Sequence, residues 1–403
     1  MGLEVRRCAT LDDFRDATAA IGAFFGGRLS EEDATRFTQT LPIERMHLAS
    51  LDGEVVGGAG AFPFEVSVPG GESVRCAGVT VVGVLPTHRR RGVLRAMVRA
   101  QLDDLHARGE PLAMLWASEE TIYGRYGYGI AGWMGEVQVE RVWSAYARPF
   151  ERRGAARLVD AAEAAEVFPR LYEAARRTHP GMHSRTDEWW RLRTLRTREE
   201  DEGNPKRFVV VEADGAPVAY AIYRRTPGWE RGMTTAKLEV LEALGVGPQA
   251  LAEMWRFLLD FDWTDTIVGW LLPPNHPLFL LLASPRRLRY RMWDSVWLRL
   301  VNVGQALSAR AYSSAAPLVL EVRDAFCSWN EGRWRIDAGE VSRTEEPADV
   351  ALDVDALGSV YLGGVTFAQL AGALRVEELR SGGVARADEL FAWPVAPWCP
   401  EIF

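Results

Sequence analysis

The spacing of apolar residues predicts a helix and a hairpin near the start of the chain. Apolar side chains recur at helical intervals through residues 11–25, so this stretch is expected to form a helix with one buried face. Residues 46–51 and 55–62 are separated by Asp52-Gly53, a pair typical of tight hairpin turns. These two runs are therefore expected to form antiparallel strands.

A second hairpin is predicted around Pro69-Gly70-Gly71, with strands over residues 64–68 and 74–84. Residues 79–84 are almost all β-branched or glycine, which is typical of a strand buried on both faces. The next predicted element is a long helix whose apolar face is formed by Leu94, Met97, Val98, Leu102 and Leu105. A short strand over residues 112–117 and a short helix over residues 119–125 are predicted after it. The first third of the chain is thus expected to be a mixed α/β domain.

The strand–turn–strand pattern recurs in the middle of the chain. Residues 207–219 repeat the pattern of residues 46–57, with Asp214-Gly215 at the turn. An apolar helical stretch, residues 250–259, then corresponds to the helix that follows Arg91, but no basic, glycine-containing loop precedes it. This favours a duplicated domain whose second copy is degenerate. The alternative is two unrelated α/β segments that share a common hairpin.

Roughly the last hundred residues predict a third α/β unit. Strands are predicted over residues 296–301, 318–322, 329–337 and 349–354, and helices over residues 355–361 and 367–374. The C-terminal residues, Ala396-Pro397-Trp398-Cys399-Pro400-Glu401-Ile402-Phe403, are apolar and contain two prolines, whereas most chain ends are polar and frayed. The C-terminus is therefore expected to be docked against the protein.

Composition and charge narrow the class of protein. The chain of 403 residues is 48% hydrophobic and 25% charged and has a formal net charge of −8, which argues against a disordered protein and against a general nucleic-acid binder. The cysteines (Cys8, Cys76, Cys327 and Cys399) are far apart, and the histidines show no metal-binding spacing. We therefore expect reduced, buried thiols, no metal and a cytoplasmic location. No secretory signal or membrane-spanning stretch is predicted.

The strongest chemical signal is a basic loop between a buried strand and a helix. Val82-Gly83-Val84 ends the strand, and Arg89-Arg90-Arg91-Gly92 precedes the helix. The start of a helix offers unpaired N–H groups and a positive dipole, Gly92 permits close approach of a ligand, and the arginines add charge. The segment is therefore suited to a pyrophosphate, although it has neither a P-loop nor a dinucleotide-binding glycine pattern. A solvated basic helix start is the alternative.

A second signal lies downstream, in Tyr123-Gly124-Arg125-Tyr126-Gly127-Tyr128. A phenol at the end of a short helix can protonate a leaving thiolate, because the pKa values of phenols and thiols lie within reach of one another. Core packing is the alternative for an aromatic cluster of this kind, and Tyr126 and Tyr128 are neighbouring phenols. The residues alone leave the choice among these three phenols open.

These two motifs resemble those of the GNAT superfamily of N-acetyltransferases. Arg89-x-x-Gly92 is similar to the acetyl-CoA loop of that superfamily, and Tyr123-x-x-x-Gly127-Tyr128 is similar to its general-acid tyrosine motif. Residues 86–92, 117–125 and 357–364, the chain length and the aromatic C-terminus resemble a narrower family, the Eis ("enhanced intracellular survival") N-acetyltransferases. The resemblance covers essentially the whole chain. It implies a catalytic GNAT domain over residues 1–150, a degenerate GNAT-like domain over residues 151–290 and a sterol-carrier-protein-like domain over residues 291–403.

The resemblance also implies a role for each candidate residue. Tyr123 would be the general acid that protonates the leaving sulfur, and the carboxylate of the last residue, Phe403, would be the general base that takes a proton from the amine. For Phe403, a tail that only seals a subunit contact is the alternative. The residues expected to bind acetyl-CoA are Val82, Gly83 and Val84 for the pantetheine arm (with the Val82 N–H also meeting the oxyanion), Arg90, Arg91, Gly92, Val93, Leu94 and Arg95 for the pyrophosphate, and Ser118 and Glu119 beside the acyl-CoA.

We therefore expect direct, acetyl-CoA-dependent transfer to amines of cationic small molecules, with aminoglycoside antibiotics as the substrate class that the resemblance implies. One alternative is acetylation of lysine ε-amines of proteins or peptides. Another, in a different class, is a non-catalytic carrier that binds acyl-CoA or lipid. The resemblance further implies a homo-hexamer, with no nucleic-acid or membrane partner.

Overall fold

The computed structural model describes residues 2–25, 27–197 and 203–403. The first elements are β1 (Leu3–Arg7), α1 (Leu11–Phe25), α2 (Glu31–Thr38), β2 (Met46–Leu51), β3 (Glu54–Ser67), β4 (Ser73–Val84), α3 (Val93–Ala107), β5 (Leu112–Leu115), α4 (Glu120–Tyr123) and β6 (Gly129–Ile130). The middle elements are β7 (Trp133–Glu140), β8 (Ala155–Val159), α5 (Ala161–Arg176), α6 (Asp187–Trp189), β9 (Arg207–Ala213), β10 (Ala216–Thr226), β11 (Trp229–Glu230), β12 (Met233–Thr234), β13 (Lys237–Gly245), α7 (Pro248–Leu259), β14 (Thr266–Leu272), α8 (Leu278–Leu281) and β15 (Arg291–Asp294). The last elements are β16 (Trp297–Leu300), α9 (Val303–Ser308), β17 (Leu318–Arg323), β18 (Gly332–Asp337), β19 (Glu340–Arg343), β20 (Val350–Asp353), α10 (Val354–Tyr361), α11 (Phe367–Gly372), β21 (Val376–Glu378) and α12 (Gly383–Phe391).

Backbone contacts divide the chain into two compact units. Unit 1 comprises residues 1–132, 295–395 and 402–403, and unit 2 comprises residues 133–294 and 396–401. The division of the chain into three domains at residues 150 and 290 stays a prediction.

Unit 1 contains a seven-stranded sheet with the order β1-β2-β3-β4-β5-β16-β6. The predicted hairpin of β2 and β3 is confirmed, and both residues of its Asp52-Gly53 turn have positive φ, 55° and 90°. β4 and β5 are parallel, and α3 connects them. Residues 296–301, which are predicted as a strand of the third unit, contain β16, and this strand pairs with β5 and β6 of the first sheet. All four residues of β16 are buried, so an interior place in a sheet covered on both faces suits this strand.

β3 is longer than the sequence predicts. It runs without a break through Pro63, although two separate strands are predicted there, over residues 55–62 and 64–68. β2 pairs with β3 only as far as Gly60. Pro63, which lacks an N–H group, therefore lies where that edge of β3 has no partner among the described strands, and the strand continues because β4 pairs with its other edge.

Unit 1 also contains a five-stranded sheet with the order β19-β18-β17-β20-β21. The strands and helices that the sequence predicts between residues 318 and 374 are present, with small differences at their ends. The largest difference is at β18, which begins at Gly332 rather than at residue 329, because residues 328–330 form a helical turn.

Unit 2 contains a second seven-stranded sheet with the order β15-β7-β14-β13-β10-β9-β8. β9 and β10 form a hairpin at Asp214-Gly215, β10 is antiparallel to β13, and β13 is parallel to β14 with α7 between them. The same connections link β2, β3, β4, α3 and β5, which supports a duplication over two unrelated segments. Only Val246 and Gly247 separate β13 from α7, so the second copy lacks a basic loop, as predicted.

The C-terminal residues are docked, as the sequence predicts. Trp398 belongs to unit 2, where its indole N–H donates to the carbonyl oxygen of Leu271. Phe403 belongs to unit 1 and is only 8% exposed. The prediction of reduced, buried thiols is also confirmed, because all four cysteines are free and buried.

Candidate active site

Two parallel strands separate at the centre of the first sheet. The pairing of β4 with β5 extends from Cys76 to Val79 and stops there. Residues 80–84 of β4 therefore leave one backbone edge without a partner strand in the described part of the chain. An open strand edge carries N–H and C=O groups that can bond an extended ligand. Val82, Gly83 and Val84, the residues predicted to bind a pantetheine arm, lie on this open segment.

β4 is irregular at the same place. Gly58 and Gly60 of β3 face Gly83 and Thr80, so β4 carries one extra residue there. Val81 has a φ of 53°, in the left-handed region that a β-branched residue rarely adopts. Backbone strain of this kind costs about 1–3 kcal/mol and is common at functional sites. The bulge turns the backbone next to Val82 out of the regular ladder, which suits its predicted role as a donor to an oxyanion.

A cleft of about 510 Å³ lies between the end of β4, the start of α3 and the segment around α4. Gly92 precedes α3 with a φ of 83°, and no atom lies within 4 Å of the place where its Cβ would stand, so a ligand can approach the backbone closely. The predicted residues that line the cleft are Val84, Arg90, Gly92, Val93, Leu94, Arg95 and Glu119. Arg89, the first arginine of the predicted basic loop, also lines the cleft. The remaining lining residues were not predicted to bind a ligand; they are His88, Thr121, Ile122, Arg125 and Tyr126.

The charge of the cleft suits an anion. Four guanidinium groups line it, those of Arg89, Arg90, Arg95 and Arg125, and guanidinium groups bind phosphates through charge-assisted hydrogen bonds. Glu119 is the exception, with a carboxylate 3.9 Å from the Arg89 guanidinium. Both side chains of this pair are more than half exposed, so the pair contributes little to stability. An anionic ligand can therefore displace Glu119 from Arg89 at little cost.

Six predicted site residues are not among those that line the cleft in the described structure: Val82, Gly83, Arg91, Ser118, Tyr123 and Phe403. Arg91 and Ser118 are exposed. Gly83 is buried, and a Cβ there would meet Ile21. Tyr123 is buried in the apolar cluster that also contains Leu94 and Ile122, two residues that do line the cleft.

Tyr123 ends α4, and its ring lies edge-on to that of Tyr128 with the ring centres 6.0 Å apart. Burial raises the pKa of Tyr123 to about 12, with smaller contributions from Tyr126 and Glu119. The phenol is therefore fully protonated at neutral pH, which is the state that a proton donor requires. Burial also raises the pKa of Tyr126. Tyr126 lines the cleft directly, so it is a second phenol at the site.

Phe403 lies against the opposite face of the same sheet. Its ring lies edge-on to Phe64 and Phe62 of β3, with ring centres 5.1 Å and 6.5 Å apart. Successive residues of a strand point to opposite faces, and Ala61, next to Phe62, packs in the cluster that contains Tyr123. Tyr123 and Phe403 therefore approach the sheet from opposite faces. An acid and a base on opposite faces can act on one reaction where β4 and β5 separate.

No group of three or more His, Cys, Asp or Glu residues that could hold a metal ion is found within residues 2–25, 27–197 and 203–403. The helices in these ranges are each too short or too polar to cross a membrane.

Three family models match the chain. Two of them, each described as an acetyltransferase (GNAT) domain, match residues 5–131 and 181–300. The third, described as a sterol carrier protein domain, matches residues 303–400. These matches confirm the predicted fold of two GNAT-like domains followed by a sterol-carrier-protein-like domain.

The chain is similar to named proteins over nearly its whole length. An uncharacterized N-acetyltransferase of Streptomyces avermitilis is 42% identical, and the match covers 94% of this chain and 94% of that protein. The N-acetyltransferase Eis of Mycobacterium tuberculosis is 33% identical, and the match covers 95% of this chain and 95% of that protein. The crystal structure of Eis1 from Mycobacterium abscessus has a TM-score of 0.86 and 35% sequence identity, and the match covers 99% of this chain and 100% of that one.

Proposed function

The chain belongs to the Eis family of GNAT N-acetyltransferases, and we propose that it transfers the acetyl group of acetyl-CoA to amines of cationic small molecules, with aminoglycosides as the substrate class. One observation carries this proposal. Where β4 and β5 separate, an open strand edge leads to a cleft of about 510 Å³ lined by four guanidinium groups. This arrangement suits a long acyl thioester that ends in a pyrophosphate. The net charge of −8 is compatible with a cationic acceptor.

The chain's own groups fit acetyl-CoA. In this proposal the open edge of β4 binds the pantetheine arm through Val82, Gly83 and Val84. Ser118 and Glu119 flank the acyl-CoA. The pyrophosphate is bound by the loop and the first turn of α3, which comprise Arg90, Arg91, Gly92, Val93, Leu94 and Arg95.

In this proposal the chemistry is performed by the C-terminal carboxylate, one backbone N–H group and one side-chain phenol. The C-terminal carboxylate of Phe403 accepts a proton from the substrate amine as the nitrogen forms a bond to the thioester carbonyl carbon. The Val82 N–H stabilises the negative charge that develops on the carbonyl oxygen. Tyr123 donates its proton to the sulfur as the carbon–sulfur bond breaks, and it regains a proton from solvent. The products are an N-acetylated amine and a free thiol, so the mechanism requires no cysteine nucleophile and no covalent enzyme intermediate.

Mass spectrometry of a panel of aminoglycosides incubated with acetyl-CoA and the purified protein tests this proposal. Mass gains in whole acetyl steps are expected, and the number of steps reports how many amines the enzyme acetylates. A lysine peptide in the same panel tests the second candidate function, acetylation of lysine ε-amines. If only the peptide is acetylated, proteins or peptides replace aminoglycosides as the substrate class. Acetyl-CoA that stays intact with every acceptor would overturn acetyl transfer and favour a carrier.

The assembly and the domain roles belong to the same proposal. We propose a cytoplasmic homo-hexamer in which residues 1–150 are catalytic, residues 151–290 form the degenerate GNAT-like domain, and residues 291–403 form the sterol-carrier-like domain that provides the C-terminal carboxylate. The exposed Trp229 and Trp263 of unit 2, whose rings stack 5.6 Å apart, offer apolar surface for an interface. Analytical ultracentrifugation that detects only a monomer would contradict the hexamer.

A further inference from the structure

Residues 324–330 of the sterol-carrier-like segment form a turn that is held by the side-chain carboxylate of its first residue, Asp324. Oδ1 of Asp324 accepts hydrogen bonds from the backbone N–H groups of Phe326 and Cys327 at 3.3 Å and 2.9 Å. Oδ2 of Asp324 accepts a hydrogen bond from the side-chain amide of Asn330 at 2.9 Å. A carboxylate that bonds the backbone two and three residues ahead holds a tight turn. The backbone that carries Phe326 is therefore rigid.

The same carboxylate ties this turn to the first sheet. Nη2 of Arg299, on β16, lies 2.6 Å from Oδ2 of Asp324, and both side chains are buried. β16 is an interior strand of the seven-stranded sheet, between β5 and β6. Because an unpaired charge in this position would be strongly destabilising, the ion pair keeps the turn against the sheet.

The turn places the ring of Phe326 next to residues of the cleft. The ring lies edge-on to Tyr126, with the ring centres 5.2 Å apart. The guanidinium carbon of Arg95 lies 5.3 Å from the centre of the Phe326 ring, and that of Arg99 lies 4.0 Å from it. Arg95 and Tyr126 line the cleft, and Arg99 is one turn further along α3 on the same side. Phe326 itself is buried.

This packing has a consequence for ligand binding. A guanidinium group held over an aromatic ring keeps its positive charge and loses rotational freedom before the ligand arrives. In the described structure no carboxylate forms an ion pair with Arg95, so its charge is available to an anion in the cleft. A flexible arginine in the same place would lose more entropy on binding.

We propose that Phe326 is a positioning residue of the acyl-CoA site. Its ring, held by Asp324 and Arg299, orients Arg95 toward the pyrophosphate of acetyl-CoA. This inference rests on the proposed function. It gives the sterol-carrier-like segment a part in binding the acyl donor, through an aromatic side chain that neither acetyltransferase motif contains.

The variant Phe326→Leu tests the inference, because leucine retains apolar volume but offers no π face. We expect the KM for acetyl-CoA to rise about tenfold, since the cation–π contact that holds Arg95 is lost, while kcat stays within twofold. With S-acetylpantetheine, a thioester donor without the pyrophosphate, the KM is expected to stay unchanged. The variant Phe326→Tyr keeps an aromatic ring and is expected to bring the KM for acetyl-CoA back to within twofold of the original value.

Phe367→Leu is the matched control. Phe367 is a fully buried phenylalanine of the same segment, and its ring contacts Phe391, 5.1 Å away, rather than a residue of the cleft. We expect this control to lower Tm at least as much as Phe326→Leu and to leave both KM values unchanged. An equal change of KM for the two thioesters, or an unchanged KM for acetyl-CoA, would overturn the positioning role.

Calorimetric titration with CoA separates this inference from the proposed function. If the original protein binds CoA but transfers no acetyl group, the proposed function fails, and a Kd raised about tenfold in Phe326→Leu still supports the positioning role. If Phe326→Leu binds CoA as tightly as the original protein, the positioning role fails whatever the transfer assay gives. A protein that binds no CoA would contradict both.

Discussion

Replacement of Gly127 by alanine tests how the tyrosine motif is held in place. Gly127 ends the turn that follows Tyr123 and has a φ of 83°. An alanine in this left-handed conformation costs about 1–2 kcal/mol by itself. A Cβ built on Gly127 would also overlap Nη1 of Arg299, and this overlap sets the larger part of the expected effect.

Arg299 has little freedom to move away. Its Nη2 lies 2.6 Å from Asp324, and the two side chains are 0% and 1% exposed. Breaking a buried ion pair costs about 3–5 kcal/mol. Together with the backbone term, Gly127→Ala is therefore expected to lower the free energy of unfolding by about 4–7 kcal/mol. The variant is also expected to lose most of its transferase activity, because Tyr123 precedes the displaced turn.

Urea denaturation followed by tryptophan fluorescence measures the loss of stability, with Gly53→Ala as the matched control. Gly53 also has a positive φ, 90°, but no atom lies within 4 Å of its Cβ position. The control is expected to lose only about 1–2 kcal/mol. Equal losses in the two variants would refute the contact between Gly127 and Arg299.

Three further predictions concern pH and the C-terminus. Because burial raises the pKa of Tyr123 to about 12, kcat should stay level up to about pH 10, and a fall centred near the ordinary phenol value of about 10 would contradict Tyr123 as the acid. Deletion of Phe403 transfers the terminal carboxylate to Ile402, one residue short of its original position, and should lower kcat about 100-fold while leaving the Kd for CoA unchanged. Phe403→Leu keeps the terminal carboxylate at position 403 and should stay active; equal kcat values in the two variants would contradict the base role. Burial lowers the pKa of His276 in the folded protein to about 3. As the pH falls below about 6.5, His276 is therefore protonated in the unfolded state before it is protonated in the folded state. The free energy of unfolding decreases between pH 6.5 and pH 3 for this reason. At pH 4.5 the loss is about 3 kcal/mol, and thermal melts of His276→Gln should show a correspondingly shallower loss; an equal loss would contradict this assignment.

Elements whose formation depends on residues close together in the chain are predictable from the sequence. The helical spacing of residues 11–25 and the Asp52-Gly53 turn act locally, and both are present in the structure. The position of β16 is not predictable in this way, because the sequence of a buried strand of four residues does not indicate which sheet the strand joins. Its place between β5 and β6 depends on pairings with residues more than 160 positions earlier in the chain.

The site divides in the same way. The basic loop and the tyrosine motif are visible as short patterns, and Arg125 could have been included because it lies within the tyrosine motif. The opening between β4 and β5 and the strained Val81 depend on where strand pairing stops, which a local pattern does not encode. Phe326 is far from both motifs in the sequence, and its contact with Tyr126 depends on a turn that the ion pair of Asp324 with Arg299 holds against the sheet.

A comparison of kcat between Tyr123→Phe and Tyr126→Phe tests the central claim most directly. Both substitutions remove one hydroxyl group and keep the ring, so packing changes little in either variant. With acetyl-CoA and an acetylated aminoglycoside as the measured product, Tyr123→Phe should lower kcat by about 10²–10⁴-fold, the usual contribution of a general acid. Tyr126→Phe should keep kcat within severalfold of the original value. Normal turnover in Tyr123→Phe, with the loss found in Tyr126→Phe, would contradict the account and transfer the acid role to the phenol that lines the cleft.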